Sequence, residues 1–188
     1  MDFFKLHFTS EELLEGKLLL INKPIGWTSF QVVNKLRWHL KNLSGLKKIK
    51  VGHAGTLDPL ATGLLLICTG KKTKSISTLQ ETEKEYTGTF LMGATTPSYD
   101  LETSINQTFD TKLLTEEIIF NTTVKFTGEI LQYPPVFSAL KKNGKRLYEY
   151  ARAGEDPEIT PRTVNVHEFK IIKINLPKVD FLVRCSKG

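Results

Sequence analysis

Cysteine is nearly missing from this 188-residue chain: only Cys68 and Cys185 occur, each inside an apolar run. Two isolated thiols build neither a disulfide-stapled domain nor a structural zinc site, and they read as buried core groups of a protein in a reducing compartment. Histidine is sparse as well, and His7, His39, His53 and His167 show no metal-ligand spacing. No apolar run approaches membrane-spanning length, and the opening MDFFKLHFTSEELLEG lacks the apolar stretch of a signal peptide. The fragment Gly70-Lys71-Lys72-Thr73 has no glycine five positions before its Gly-Lys pair, so a phosphate-binding P-loop, and with it nucleotide hydrolysis, is unsupported. These absences predict a cytoplasmic protein with no membrane partner, using chemistry that needs neither metal nor cofactor.

Positive charge is in excess, with 26 Lys and Arg against 20 Asp and Glu for a formal net charge of +6. Lys35, Arg37, Lys41, Lys47, Lys48 and Lys50 form one cluster, Lys71, Lys72 and Lys74 a second, and Lys141, Lys142, Lys145 and Arg146 a third. Charge runs commonly lie on solvated faces. The placement of all three beside Gly- and Pro-rich loops suits a surface that tracks phosphates.

The chain is long enough for one domain with a real core, and its patterning alternates between strand and helix. An apolar run at 18–22 predicts a strand ending at the turn Lys23-Pro24-Ile25-Gly26. Thr28 or Ser29 caps a helix that buries Phe30, Val33, Leu36 and Leu40 on one face. A buried strand follows at 64–69, then one with Tyr86, Phe90 and Met92 on one face. Thr115 with Glu116 and Glu117 opens a helix that Gly128 follows. A short helix is expected at 145–153, and Val164, Val166, Val179, Phe181, Val183 and Cys185 mark two further strands.

One block stands apart. From Gly52 to Gly70 the chain reads GHAGTLDPLATGLLLICTG, uncharged except for Asp58. Pro59 biases Asp58 toward an extended or turn conformation, which presents its side chain in the manner of a catalytic acid; a plain Asp-Pro turn is the other reading. Lys50 and Lys71 bracket the block in sequence, so a basic neighbourhood is expected for Asp58.

The string GHAGTLDPLATGLL resembles the catalytic motif of the TruB family of tRNA pseudouridine synthases. LLLINKPIGWTS from Leu18, KEYTGTFLMGATTPSYD from Lys84, PPVFSALKKNGKRLYEYARAG from Pro134 and VRCSKG at the end follow in the family's order. The resemblance implies an α+β fold, with a largely antiparallel mixed sheet flanked by helices, and isomerisation of uridine 55 in the T-stem-loop of tRNA. It implies Asp58 as the catalytic aspartate, acting as nucleophile or as sugar-deprotonating base, two mechanisms the residues do not separate. An aspartate is ionised near neutrality, given its reference pKa of about 3.9. His53 falls at the family's base-displacing histidine, Tyr86 at the tyrosine that stacks on the turned-out uracil and helps remove its C5 proton, and Lys23 in the KP motif that supports the active-site loop.

Residues 134–162 match the family's thumb, which contacts the T-loop through Lys141, Lys145, Arg146 and Tyr148 and favours an enzyme that needs no guide RNA. The segment around Tyr99 and Asp100 matches less sharply. The last block stops before the family's motif is complete. The expectation is therefore of the N-terminal part of a catalytic domain, monomeric at full length. The arginine that pairs with the aspartate and any small RNA-binding domain would lie beyond residue 188, leaving these residues alone with little or no activity. A noncatalytic RNA-binding fold and a synthase acting on ribosomal RNA are the alternatives.

Overall fold

The structure is a computed structural model that describes residues 8–138, 140–155 and 157–186. The chain divides into two compact units, Met1–Glu81 and Thr82–Gly188.

In the first unit a short helix α1 (Ser10–Glu15) is closed by a capping box, Thr9 accepting the Glu12 N–H and Glu12 reaching back to Thr9. Strand β1 (Leu18–Lys23) alternates exposed and buried residues, and helix α2 (Ser29–Ser44) starts at a second capping box between Thr28 and Gln31. Its buried stripe is Ser29, Val32, Val33, Leu36 and Leu40. Phe30 is not part of it and stands 62% exposed. At about 100° per residue it lies well round the helix from Val33, Leu36 and Leu40, and Val32 takes the place the sequence assigned to it.

Strands β2 (Val51–Ala54) and β3 (Gly63–Thr69) complete a three-stranded antiparallel sheet in the order β1-β3-β2. Leu64 remains exposed at the start of β3, while Leu65, Ile67 and Cys68 are buried. Leu19, Ile21, Leu65 and Ile67 of the sheet meet Val33, Leu36 and Leu40 of α2, with Leu13 of α1, in one core. Burying each such side chain contributes about 1.5–3 kcal/mol. A 3-10 turn (Gly70–Ser75) and helix α3 (Ile76–Gln80) end the unit.

The second unit holds β4 (Lys84–Leu91), a two-residue ladder of β5 (Ala94–Thr95) with β6 (Gln107–Thr108), helix α4 (Glu116–Lys125) capped by Thr115, and β7 (Gly128–Gln132). Then come β8 (Lys141–Lys142), β9 (Lys145–Arg146), α5 (Leu147–Arg152), β10 (Arg162–Asn175) and β11 (Lys178–Cys185). The main sheet is antiparallel in the order β4-β11-β10-β7.

Tyr86, Gly88 and Phe90 of β4 face Val183, Phe181 and Val179 of β11. The Phe181 ring fills the space a side chain at Gly88 would need, its nearest atom 2.7 Å from where the Cβ would sit, and it stacks on Phe90 with centroids 4.2 Å apart. Met92 falls just past the strand, its N–H donating to the Pro177 carbonyl at 2.7 Å, so it does not continue the Tyr86–Phe90 face.

The helix expected at 145–153 begins later. Lys145 and Arg146 pair instead with Lys142 and Lys141, across a turn whose Asn143 and Gly144 have φ of 51° and 81°. Asn-Gly is the pair that two-residue hairpin turns with positive φ select, and that turn chemistry overrides the local helical pattern.

Candidate active site

The alternation of β1 sets the centre of the first unit's site. Leu19 and Ile21 enter the core and the same two-residue period carries Lys23 in after them, so it is 0% exposed. A buried ammonium persists only with partners. Lys23 Nζ donates to the carbonyls of Trp27 at 2.6 Å, Pro24 at 3.0 Å and Pro59 at 3.4 Å. Burial pushes its pKa below the ordinary lysine value, and the negative charge of Asp58 opposes that shift.

The loop carrying Asp58 is gripped on both sides. Before it, Ser29 Oγ donates to the Leu57 carbonyl at 3.1 Å and accepts the Leu57 N–H at 2.9 Å. After it, the Pro59 carbonyl takes the Gly26 N–H at 2.8 Å as well as the Lys23 ammonium. Asp58 opens a turn, its own carbonyl accepting the Ala61 N–H at 3.0 Å, with Pro59 in the position where a fixed φ is favoured. The Asp-Pro turn is thus the local structure, and Asp58 is an exposed residue on it. An exposed carboxylate whose two neighbours are tied to the fold, with a cation set behind, is a preorganised anion.

His53 lies on β2, where its Nδ1 hydrogen-bonds the Gly55 carbonyl. A carbonyl only accepts, so Nδ1 carries a proton in this contact. The bracketing lysines behave differently from expectation. Val51 pairs with Thr69, and Gly70 donates its N–H to the Lys50 carbonyl at 2.9 Å, so Lys50 and Lys71 meet each other at one end of the β2–β3 pair. The Asp58 loop leaves from the other end. Strand β3 has seven residues, which puts about 20 Å between its ends. Lys23, from a different strand, is a cation coupled to Asp58.

At the far end Lys48, Lys50, Lys71 and Lys74 surround a cavity of about 420 Å³. Lys71 also pairs with Glu15 at 2.7 Å. Lys35 lies over the Trp38 ring at 5.3 Å, and Arg37 donates to the Val51 carbonyl at 3.0 Å.

In the second unit Tyr86 is part-exposed on β4, opposite Val183. Lys142 pairs with Glu158 at 3.9 Å and Lys145 with Glu155 at 3.2 Å, and Lys145 also lies 4.3 Å over the Tyr150 ring. These two lysines fasten the β8–β9 hairpin to the chain that follows α5. Arg146 is half-buried at the end of the hairpin, its N–H donating to Glu149 at 2.7 Å. The side chains of Lys141 and Tyr148 lie outside the described residues.

Sequence reasoning missed Ser29 as a clamp, having weighed it only as a cap. The adjacent hydroxyls of Thr28 and Ser29 were the available signal, since one suffices for the cap and the other is left for a second task. Among the described residues no three His, Cys, Asp or Glu side chains gather as metal ligands would, and no helix is long and apolar enough to cross a membrane.

A sequence profile described as TruB family pseudouridylate synthase (N terminal domain) matches residues 41–188. The chain belongs to the TruB family. The tRNA pseudouridine synthase B of Flavobacterium johnsoniae is 65% identical over 181 residues, covering 96% of this chain and 79% of that protein. The protein of the same name from Phocaeicola vulgatus is 52% identical over 174 residues, covering 93% and 74%. Among solved structures, a chain of a Cbf5-Nop10-Gar1 complex shares 27% identity with a TM-score of 0.64, covering 94% of this chain and 41% of that one. A chain of an archaeal box H/ACA sRNP Nop10-Cbf5 complex shares 25% with a TM-score of 0.58, covering 94% and 39%. The antiparallel sheets with flanking helices are the pseudouridine synthase catalytic fold, and the chain is an isomerase of that class.

Proposed function

We propose that this protein isomerises uridine 55 in the T-loop of tRNA, with Asp58 as the catalytic carboxylate. The observation that carries the reading is the Asp58 turn, tied at Leu57 and Pro59 and backed by the buried Lys23 ammonium. Two relatives at 65% and 52% identity, each named tRNA pseudouridine synthase B, support tRNA as the substrate.

Isomerisation adds and removes nothing overall. The N1–C1′ bond of the uridine breaks, the detached uracil turns, a C5–C1′ bond forms, and the proton lost from C5 is balanced by one gained at N1. Asp58 serves either as nucleophile toward the sugar or as base for a sugar proton. The target base must leave its stack, which costs a few kcal/mol, and His53 enters the space it vacates. Tyr86 stacks on the turned-out uracil, a contact worth roughly 1–3 kcal/mol, and its hydroxyl assists removal of the C5 proton. Lys23 acts from behind the loop, holding Asp58 in place.

Residues 134–162 act as a thumb on the T-loop, through Lys141, Lys145, Arg146 and Tyr148, and the cluster of Lys48, Lys50, Lys71 and Lys74 takes phosphates. The enzyme works as a cytoplasmic monomer without guide RNA. Carbodiimide labelling of tRNA after incubation with the protein tests the reading. Labelled pseudouridine at position 55 that depends on Asp58 supports it, and binding of tRNA with no new pseudouridine rejects it.

A further inference from the structure

The second unit carries an aromatic cleft that the proposed chemistry does not use. It encloses about 440 Å³ between the 97–99 loop and residues 133–137, and its walls are built from Pro97, Tyr99, Tyr133, Pro135 and Phe137, with no charged residue among the described lining. Tyr99 is 81% exposed and Tyr133 is 68% exposed. Rings of this size normally contribute their area to a core, so two held in solvent beside one cleft require a reason.

The Tyr99 loop holds its ring there at a conformational cost. Tyr99 has a φ of 62°, a left-handed conformation that residues with side chains rarely adopt. The loop is pinned in that state from several directions. Tyr99 N–H donates to the Thr96 carbonyl at 3.2 Å, and the Thr96 hydroxyl donates to the Asp100 carbonyl at 2.7 Å. Buried Ser98 shares a 2.6 Å hydroxyl contact with Thr103, and Asp100 Oδ1 accepts the Glu102 N–H at 2.9 Å. A loop so tied does not wander until its tyrosine finds cover; it presents the ring.

The chemistry of the walls selects the ligand. Without a cation the cleft is a poor phosphate site, whereas flat π faces edged by phenol hydroxyls suit a flat ring with polar edges, which is what an unstacked nucleobase offers. Pro135 and Phe137 also open the segment proposed as the thumb, so the cleft is continuous with the surface proposed to close on RNA. We propose that Tyr99 and Tyr133 form a stacking site for one unpaired base of the RNA substrate other than the reacting uridine. This inference rests on the reading that the substrate is RNA.

Fluorescence anisotropy with a labelled T-stem-loop RNA tests it, using wild type, Tyr99→Gly, Tyr99→Phe and Tyr133→Ala. Glycine accepts the left-handed backbone, so Tyr99→Gly removes the ring without straining the loop, and a thermal melt confirms folding. Tyr99→Gly and Tyr133→Ala should each weaken binding by roughly 5- to 150-fold, while Tyr99→Phe stays within about two-fold. The slope of log affinity against log salt should not change, because no phosphate contact is removed.

Abasic sugars placed one at a time through the loop should find a single position whose loss does not add to Tyr99→Gly, as two halves of one contact behave. Unchanged affinity in Tyr99→Gly and Tyr133→Ala overturns the proposal, as does a shallower salt slope. Binding of a proline-rich peptide that Tyr99→Gly abolishes, with RNA affinity intact, would also overturn it, making the cleft a protein-docking site. Carbodiimide labelling in parallel separates the two readings. If wild type leaves tRNA unmodified yet the ring variants lose affinity, the cleft stands and the proposed function falls; if tRNA is modified and the ring variants bind as wild type does, the cleft falls alone.

Discussion

The two ends of the three-stranded sheet use lysine in opposite ways. At the end where Lys23 pairs with Gly63, one ammonium is fully buried and spends its donors on carbonyls of the turn after β1 and of the Asp58 loop. At the other end, where Val51 pairs with Thr69, Lys48, Lys50, Lys71 and Lys74 stand exposed round an open cavity. The same side chain is a structural tie in one place and a source of long-range field in the other. Solvation makes the difference. A desolvated cation must be satisfied at close range by fixed dipoles, while a hydrated one keeps its charge available to a mobile polyanion.

The largest effect expected is at the anion that the buried end positions. Asp58→Asn should lower the single-turnover rate of pseudouridine formation on the order of 10⁴-fold or more while tRNA affinity by filter binding stays within about three-fold, since the phosphate contacts are elsewhere. Turnover near that of wild type would remove Asp58 from the chemistry.

Lys23→Met should then cost about 2–4 kcal/mol of stability, because it leaves buried carbonyls unpaired, read as a lower urea midpoint. Its pH dependence carries a definite sign. Folding lowers the Lys23 pKa, so the unfolded chain holds that proton to higher pH than the folded one. The Lys23 contribution must therefore rise with pH between the lowered folded value and the ordinary 10.5, and be smaller below that window. A gap between wild type and Lys23→Met that narrows on approach to pH 10.5 would contradict the burial assigned to this ammonium.

At the exposed end the readout changes from stability to salt. Replacing Lys48, Lys50 and Lys74 together by Gln should flatten the slope of log tRNA affinity against log salt by about 2 to 3 and alter stability by no more than about 0.5 kcal/mol. An unchanged slope would leave that end a solvated surface with no role in binding.

The smallest effect concerns a cation between these extremes. Lys17 hydrogen-bonds Glu12 at 2.7 Å, and that contact, with the backbone bond to Thr9, holds the Glu12 pKa at about 2. A lowered carboxyl stabilises the fold above its ordinary 4.5 and loses that contribution as pH falls through about 2. Glu12→Gln should lower the urea midpoint slightly at neutral pH, where the contribution is fully present, and the difference from wild type should shrink as pH falls from 4.5 toward about 2.

Much of this was legible in the chain itself. Strand β1 follows from its apolar run and the turn after it, β10 and β11 from alternation, the start of α4 from Thr115 and its two glutamates, and the family from motif order, because each of these depends on residues near one another in sequence. The errors share one cause. Phe30 was placed by approximate helical spacing when Val32 fits the face better, and the 145–153 helix was read through an Asn-Gly turn that starts a hairpin. Lys50 and Lys71 were assigned to Asp58 on sequence proximity, although antiparallel pairing carries both ends of a block away from its middle.

The residue order by itself determined the caps, the Asp-Pro turn and the membership of the family, whereas the face of β1 that turns inward and takes Lys23 with it is set by packing. Only the tertiary structure decided which groups complete those local features: that the Lys23 ammonium meets the Pro59 carbonyl, that Ser29 clamps Leu57, and that the bracketing lysines gather at the opposite end of the sheet from Asp58. Turns and periods are set by a few neighbouring dihedrals. The partners of a buried charge are set by whichever distant backbone dipoles the packing of a strand, a helix and a loop brings within hydrogen-bond reach, and no local pattern encodes that meeting.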